Sequence, residues 1–158
     1  GNMTYALHTD YVMSGSALDE VSLLVGHEQR IHTLPTDADD YAEEEFIRHE
    51  VSPSEGVTVV QGEKYGDGWD FGITVESPGT YTFETWKGGQ LHDYIDMVFD
   101  APSSLELIGW ARAPWETEFE SIDEGDAVVE GTQVAFLPVP LDASGSRIAG
   151  AFFFGLEC

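Results

Sequence analysis

Residues 69–86 read WDFGITVESPGTYTFETW. Trp69, Phe71, Ile73 and Val75 alternate with Asp70, Gly72, Thr74 and Glu76. After Ser77-Pro78-Gly79-Thr80, Tyr81, Phe83 and Thr85 alternate with Thr80, Thr82 and Glu84. A strand turns successive side chains to opposite faces, so this period predicts two half-buried strands. Phe71, Ile73, Tyr81 and Phe83 are expected in the core, with Thr74, Glu76, Thr82 and Glu84 towards solvent. The Ser-Pro-Gly-Thr step suits a type II turn, because Pro presets φ at its second position and Gly accepts positive φ at its third. Tight hairpins prefer the primed turns instead, so the two strands either pair or cross between sheets.

The same alternation recurs on both sides. Tyr5, Leu7, Tyr11 and Met13 oppose Thr4, His8 and Asp10, giving a strand over 4–13. Further strands are predicted at Val21–Val25, Gln29–Leu34, Glu45–Val51 (Ile47, His49 and Val51 on one face), Val57–Gln61, Asp93–Asp100, Leu105–Trp110, from Phe119 to Ile122, and at Ile148–Leu156. Val134–Leu141 is apolar but contains Pro138 and Pro140, which cannot donate to a ladder, so it is expected at a sheet edge. Residues 36–45, TDADDYAEEE, suit either a capped helix or a solvated loop. Residues 111–118 read as a loop. Nine or ten short strands at this spacing predict an all-β chain, a β-sandwich or jelly roll, as one domain over 1–158.

Composition narrows the function classes. An apolar share of 42% is enough for a packed core. Thirty Asp and Glu face six Lys and Arg, a formal charge of −24, and Lys64 and Lys87 are the two lysines. Such self-repulsion is relieved in molar salt, where the Debye length falls to about 3 Å. An acidic surface with almost no Lys on an ordinary core resembles proteins of halophilic archaea. Nucleic acid is excluded as a direct partner, because phosphate contacts need basic clusters. No run of 18 apolar residues occurs, so no membrane-spanning helix is expected. The single cysteine, Cys158, allows no intrachain disulfide.

Two resemblances attach to the central stretch. Residues 79–97, GTYTFETWKGGQLHDYIDM, resemble the copper-loop end of cupredoxins, including halocyanins. The resemblance implies His92 and Met97 as copper ligands. It departs at the cysteine: Gly89 stands three residues before His92, where a blue-copper site needs a thiolate. Residues 69–102 resemble the β-sandwich domains of pre-peptidase type appended to secreted proteases, and immunoglobulin-like sandwiches more broadly. Asp70-Phe71, Pro78-Gly79-Thr80-Tyr81, the strand from Asp93 to Asp96 and Asp100-Ala101-Pro102 carry it. It implies a non-catalytic module, of a kind that in some cases binds calcium or polymers. No second Gly-Thr-Tyr strand follows near the C-terminus.

Hard cations take clustered carboxylates, which makes Asp67, Asp70, Asp93 and Asp96, and separately Asp37, Asp39 and Asp40, candidate calcium ligands. Among the five histidines only His27 and His32 approach a zinc-type spacing, with no third ligand in view. No nucleophile elbow, phosphate loop or dinucleotide fingerprint occurs. No cofactor is expected beyond calcium. The expectation is therefore a binding or assembly module, not an enzyme. It would be extracellular or on a cell surface, with a protein or surface polymer as partner, or a second copy of itself. The alternatives are a structural protein of a halophilic virion and a cupredoxin-like metal carrier. Sandwich loops gather at two ends. Trp and Arg are enriched at binding hot spots, so Trp110, Arg112 and Trp115 are the candidate contact residues.

Overall fold

The two strands anticipated within 69–86 form at Gly68–Val75 and Gly79–Lys87, but they do not pair with each other. The computed structural model describes residues 3–8, 17–36, 47–66 and 68–150. Among these residues every regular element is a strand. In chain order they are β1 (Met3–Leu7), β2 (Ser22–Leu24), β3 (Gln29–Pro35), β4 (Ile47–Ser52), β5 (Val57–Val60), β6 (Lys64–Tyr65), β7 (Gly68–Val75), β8 (Gly79–Lys87), β9 (Gln90–Asp100), β10 (Ser104–Arg112), β11 (Glu120–Ile122), β12 (Gln133–Leu141) and β13 (Ile148–Ala149). Of these thirteen, only the two-residue β6 has no counterpart among the strands expected from sequence, being too short to show a period. The acidic stretch 37–46, with Asp37, Asp39 and Asp40, lies outside the described residues, as do Asp67 and the outer ends of the two terminal strands expected from sequence.

The chain divides into two compact units, residues 1–101 with 148–158, and residues 102–147. The first is a β-sandwich. One sheet has the order β1-β3-β7-β5, with β6 also pairing β7; the other runs β13-β2-β9-β8-β4. The pairs β1–β3, β3–β7, β5–β7, β4–β8 and β8–β9 are antiparallel, while the short β2 pairs β9 and β13 in parallel. The inner faces supply Tyr5, Leu7, Ile31, Phe71 and Ile73 from one sheet and Leu23, Val51, Phe83, Met97 and Phe99 from the other. Phe71, Ile73, Tyr81 and Phe83 are buried as the alternation required. Thr74, Thr82 and Glu84 are partly exposed and Glu76 is exposed.

The step between β7 and β8 is not the type II turn that its residues suggest. That turn needs φ near +80° at Gly79, which instead has φ 157° and opens β8. The crossing between sheets is braced by the Tyr81 hydroxyl, which donates to the Ser77 carbonyl at 2.8 Å. This is the kind of corner that Greek-key sandwiches use. The tight hairpin lies one strand later. Gly88 (φ 58°) and Gly89 (φ 77°) both take positive φ between β8 and β9, as a primed two-residue turn demands.

The β4 edge is closed by a side chain. The Gln61 amide donates to the His49 carbonyl at 2.9 Å and accepts from the His49 N–H at 3.2 Å, which occupies ladder groups an exposed edge would offer to another chain. The unit 102–147 is built on a three-stranded antiparallel sheet, β11-β10-β12. Its β12 is an edge strand, as Pro138 and Pro140 required, and they sit opposite Leu107 and Leu105. Strand β10 continues two residues past its expected end at Trp110, so Arg112 stands on a strand and not in the expected loop. Ala111 and Arg112 are still paired with Val134 and Gln133.

Candidate functional site

The polar face of the β1-β3-β7 sheet brings together residues far apart in sequence. Alternation sends Ile31 and Thr33 of β3, and Phe71 of β7, inward, so His32 and Asp70 point out from facing positions of paired strands. His8 follows the end of β1, where its N–H donates to the Arg30 carbonyl at 2.9 Å. Its Nδ1 lies 3.0 Å from both Asp70 carboxylate oxygens, and His32 Nδ1 lies 2.8 Å from Asp70 Oδ1. The two imidazoles meet edge to face, with ring centroids 5.8 Å apart. Gly68 is required beneath them, because a Cβ there would fall 2.2 Å from the Thr33 carbonyl oxygen and 2.7 Å from His32 Nε2.

Burial alone would raise the Asp70 carboxyl. The hydrogen bonds from His32 and His8, and their positive charge when protonated, outweigh it and hold the group below the usual carboxylate value. One ligand atom from each of His8, His32 and Asp70 falls within 4.8 Å of the others. Beside them, Asp70 lines a surface depression of about 340 Å3 together with Arg30, Gln61, Gly62, Glu63 and Lys64.

The candidate calcium set is not assembled. Asp70 belongs to one sheet, and Asp93 and Asp96 to the other. Asp93 and Asp96 are three apart on β9 and so face opposite ways. Asp93 accepts from the N–H of Met3 at 2.7 Å, and Asp96 accepts from the Thr82 hydroxyl at 2.7 Å. Asp67 lies outside the described residues. The copper pair is likewise separated. Met97 is fully buried in the core, whereas His92, five residues earlier on β9, is half-buried at the bulge where the register against Thr85 and Trp86 shifts. His32 meets His8, a partner that the spacing of the histidines along the chain did not suggest.

The candidate contact residues lie in the 102–147 unit. Trp110 and Arg112 share one face of β10. The Arg112 guanidinium donates to Gln133 and sits over the Phe119 ring, 5.0 Å from its centroid. Trp115 lies in the turn closed by the Glu116 N–H, which donates to the Ala113 carbonyl at 2.9 Å, and it is 72% exposed. The other face of the same sheet carries a feature the sequence reading passed over. Leu105 and Leu107 on β10 are 61% and 66% exposed, and Phe136 on β12 is 59% exposed. Phe136 and Ile122 both stand opposite Gly109, so these apolar side chains share one face. With Glu106, Asp123 and Glu124 they border a depression of about 510 Å3.

No family model matches the chain, and no curated protein matches it. Among solved structures it is similar to the Escherichia coli adhesin FdeC, with 17% identity and a TM-score of 0.46 over 95% of this chain and 43% of that one. It is also similar to domains 5–6 of the S-layer protein SbsC, with 14% identity and a TM-score of 0.48 over 92% of this chain and 67% of that one. The chain thus spans less than half the length of the FdeC chain it matches.

Proposed function

We propose that this chain is a non-catalytic assembly module that docks a protein surface, in the first instance a second copy of itself, through the sheet of residues 102–147. The observation that carries the reading is the exposed apolar face made by Leu105, Leu107 and Phe136. Single exposed apolar residues are ordinary, but contiguous apolar patches on soluble chains mark interaction surfaces. On a chain with thirty carboxylates such a patch is the place where contact removes apolar area from water without burying charge. Trp115 adds a large exposed side chain of the type that anchors interfaces. The depression beside Phe136 is edged by acids, which suits an apolar core with a polar rim. The reading implies an extracellular or cell-surface location and, from the charge balance, a salty medium.

Sedimentation velocity in molar NaCl tests it. The wild-type chain is expected to associate with rising concentration. Leu107→Glu and Phe136→Glu should hold it monomeric with an unchanged fold, and Trp115→Ala should weaken association with little change in melting temperature. A wild-type chain that sediments as a monomer across the whole concentration range would overturn the proposal.

A further inference from the structure

We propose that His8, His32 and Asp70 form a binding site for one divalent transition-metal ion of the zinc or cobalt type. The register of three adjacent strands supplies the constellation: β1 leads into His8, β3 carries His32, and β7 carries Asp70 directly opposite His32. Two of the three ligands therefore sit on paired strands whose ladder fixes their spacing. The third is exposed and follows a strand end, where its side chain is able to adjust.

The distances fit with small movements. The imidazole Nδ1 atoms lie 2.8 to 3.0 Å from the Asp70 oxygens, bound by hydrogen bonds. Zinc bonds of about 2.0–2.1 Å in a tetrahedron put ligand atoms roughly 3.3 Å apart. Replacing the shared hydrogens by an ion therefore requires each His–Asp pair to open by only a few tenths of an ångström, while the ligand atoms of the two imidazoles, no more than 4.8 Å apart, come to the same spacing. No backbone change is needed for His32 and Asp70.

The donor set selects the class of ion. Two imidazoles and one carboxylate suit zinc, cobalt and iron, whereas calcium requires six or more oxygens. Asp70 thus keeps a place as a metal ligand, but for a softer ion and with histidine partners. Three protein ligands leave a fourth position open, and the neighbouring depression lined by Gln61, Glu63 and Lys64 gives access for water or a carboxylate. A strongly negative chain also concentrates cations around itself.

The test uses the full chain, stripped with chelator and kept in molar NaCl, titrated with Co2+ alone and with Zn2+ alone. Co2+ is expected to bind one equivalent with the visible bands of a four-coordinate ion, and Zn2+ to displace it. His32→Ala should weaken binding at least about 100-fold and His8→Ala at least about 10-fold, the range seen when the surroundings of a bound metal are disturbed. Calcium at the same concentration should not compete. His8 is exposed, so its variant keeps the test valid even where His32→Ala fails to fold. If Co2+ binds His8→Ala with wild-type affinity and spectrum, the ion is held adventitiously by surface carboxylates and the proposal falls. Weak binding of several equivalents, displaced by calcium, would overturn it equally.

Discussion

Replacing His49 with Leu should stabilise the protein, and by more at pH 5 than at pH 7.5. His49 is 2% exposed on the inner face of β4, with its ring 3.5 Å from that of Phe71 and 4.9 Å from that of Phe83, centroid to centroid. Neither ring nitrogen has a hydrogen-bond partner among the described residues. A buried polar group without a partner costs about 1–3 kcal/mol, whereas Leu fills a similar volume with no polar atom. The gain at pH 7.5 is therefore about 1–3 kcal/mol, less what the lost ring contacts contribute. Burial also pushes the imidazole from its ordinary 6.5 down to about 3. As pH falls, the unfolded chain takes up this proton first, so the wild-type protein loses stability from about pH 6.5 downwards until about pH 3. Each pH unit in that window costs about 1.4 kcal/mol, and between pH 7.5 and 5 the loss is about 2 kcal/mol. The Leu variant has no such group, while every carboxylate titrates alike in both proteins. Urea or thermal unfolding of the pair in molar salt at the two pH values isolates the term. The gap in stability should widen by about 2 kcal/mol, roughly 4–8 °C in melting temperature for a chain of this size. A gap that stays constant with pH would refute the view that the imidazole is held neutral in an apolar core.

Truncating Phe83 to Ala should cost about 3–5 kcal/mol, because the ring is fully buried and packs edge-on against Tyr5; a urea midpoint shift below a quarter of that would mean the inner face is misassigned. The melting temperature should rise with salt. Lowering ionic strength from 1 M to 0.01 M lengthens the Debye length from about 3 Å to about 30 Å, so carboxylates of a −24 chain repel across the whole molecule. An unchanged midpoint over that range would remove the case for adaptation to salt.

The sandwich was legible where the two-residue period ran long. Over 69–86 the alternation separated core from solvent residue by residue, because each strand buries one face only. Pro138 and Pro140 marked an edge for a backbone reason, since neither offers an N–H. The turn at Pro78-Gly79 misled, because a proline-glycine pair states which φ values are allowed and not whether the chain turns back or crosses to the other sheet. The apolar face at Leu105, Leu107 and Phe136 was read as ordinary strand. Alternation reports which residues share a face, but whether that face is covered depends on what packs against it.

The histidines show the same limit most sharply. His49 and His32 belong to the same residue type and both sit inside strands, yet one is a core residue and the other stands beside a carboxylate in water. Parity within the strand decides this: His49 is in phase with Val51, and His32 is out of phase with Ile31. That much is readable from sequence, as is the polar phase of His8 beside Leu7 and of Asp70 beside Phe71. What sequence does not carry is adjacency. Asp70 is 62 residues from His8 and 38 from His32, and only the order β1-β3-β7 makes them neighbours. A shift of β3 by one residue against β7 would turn His32 into the core and leave Asp70 facing an apolar side chain. Register is fixed by Ile31, Thr33, Phe71 and Ile73 packing on the inner face, away from the cluster on the outer one. The positions that build the site and the positions that align it are therefore on opposite sides of one sheet, and a search for ligand spacing along the chain sees neither.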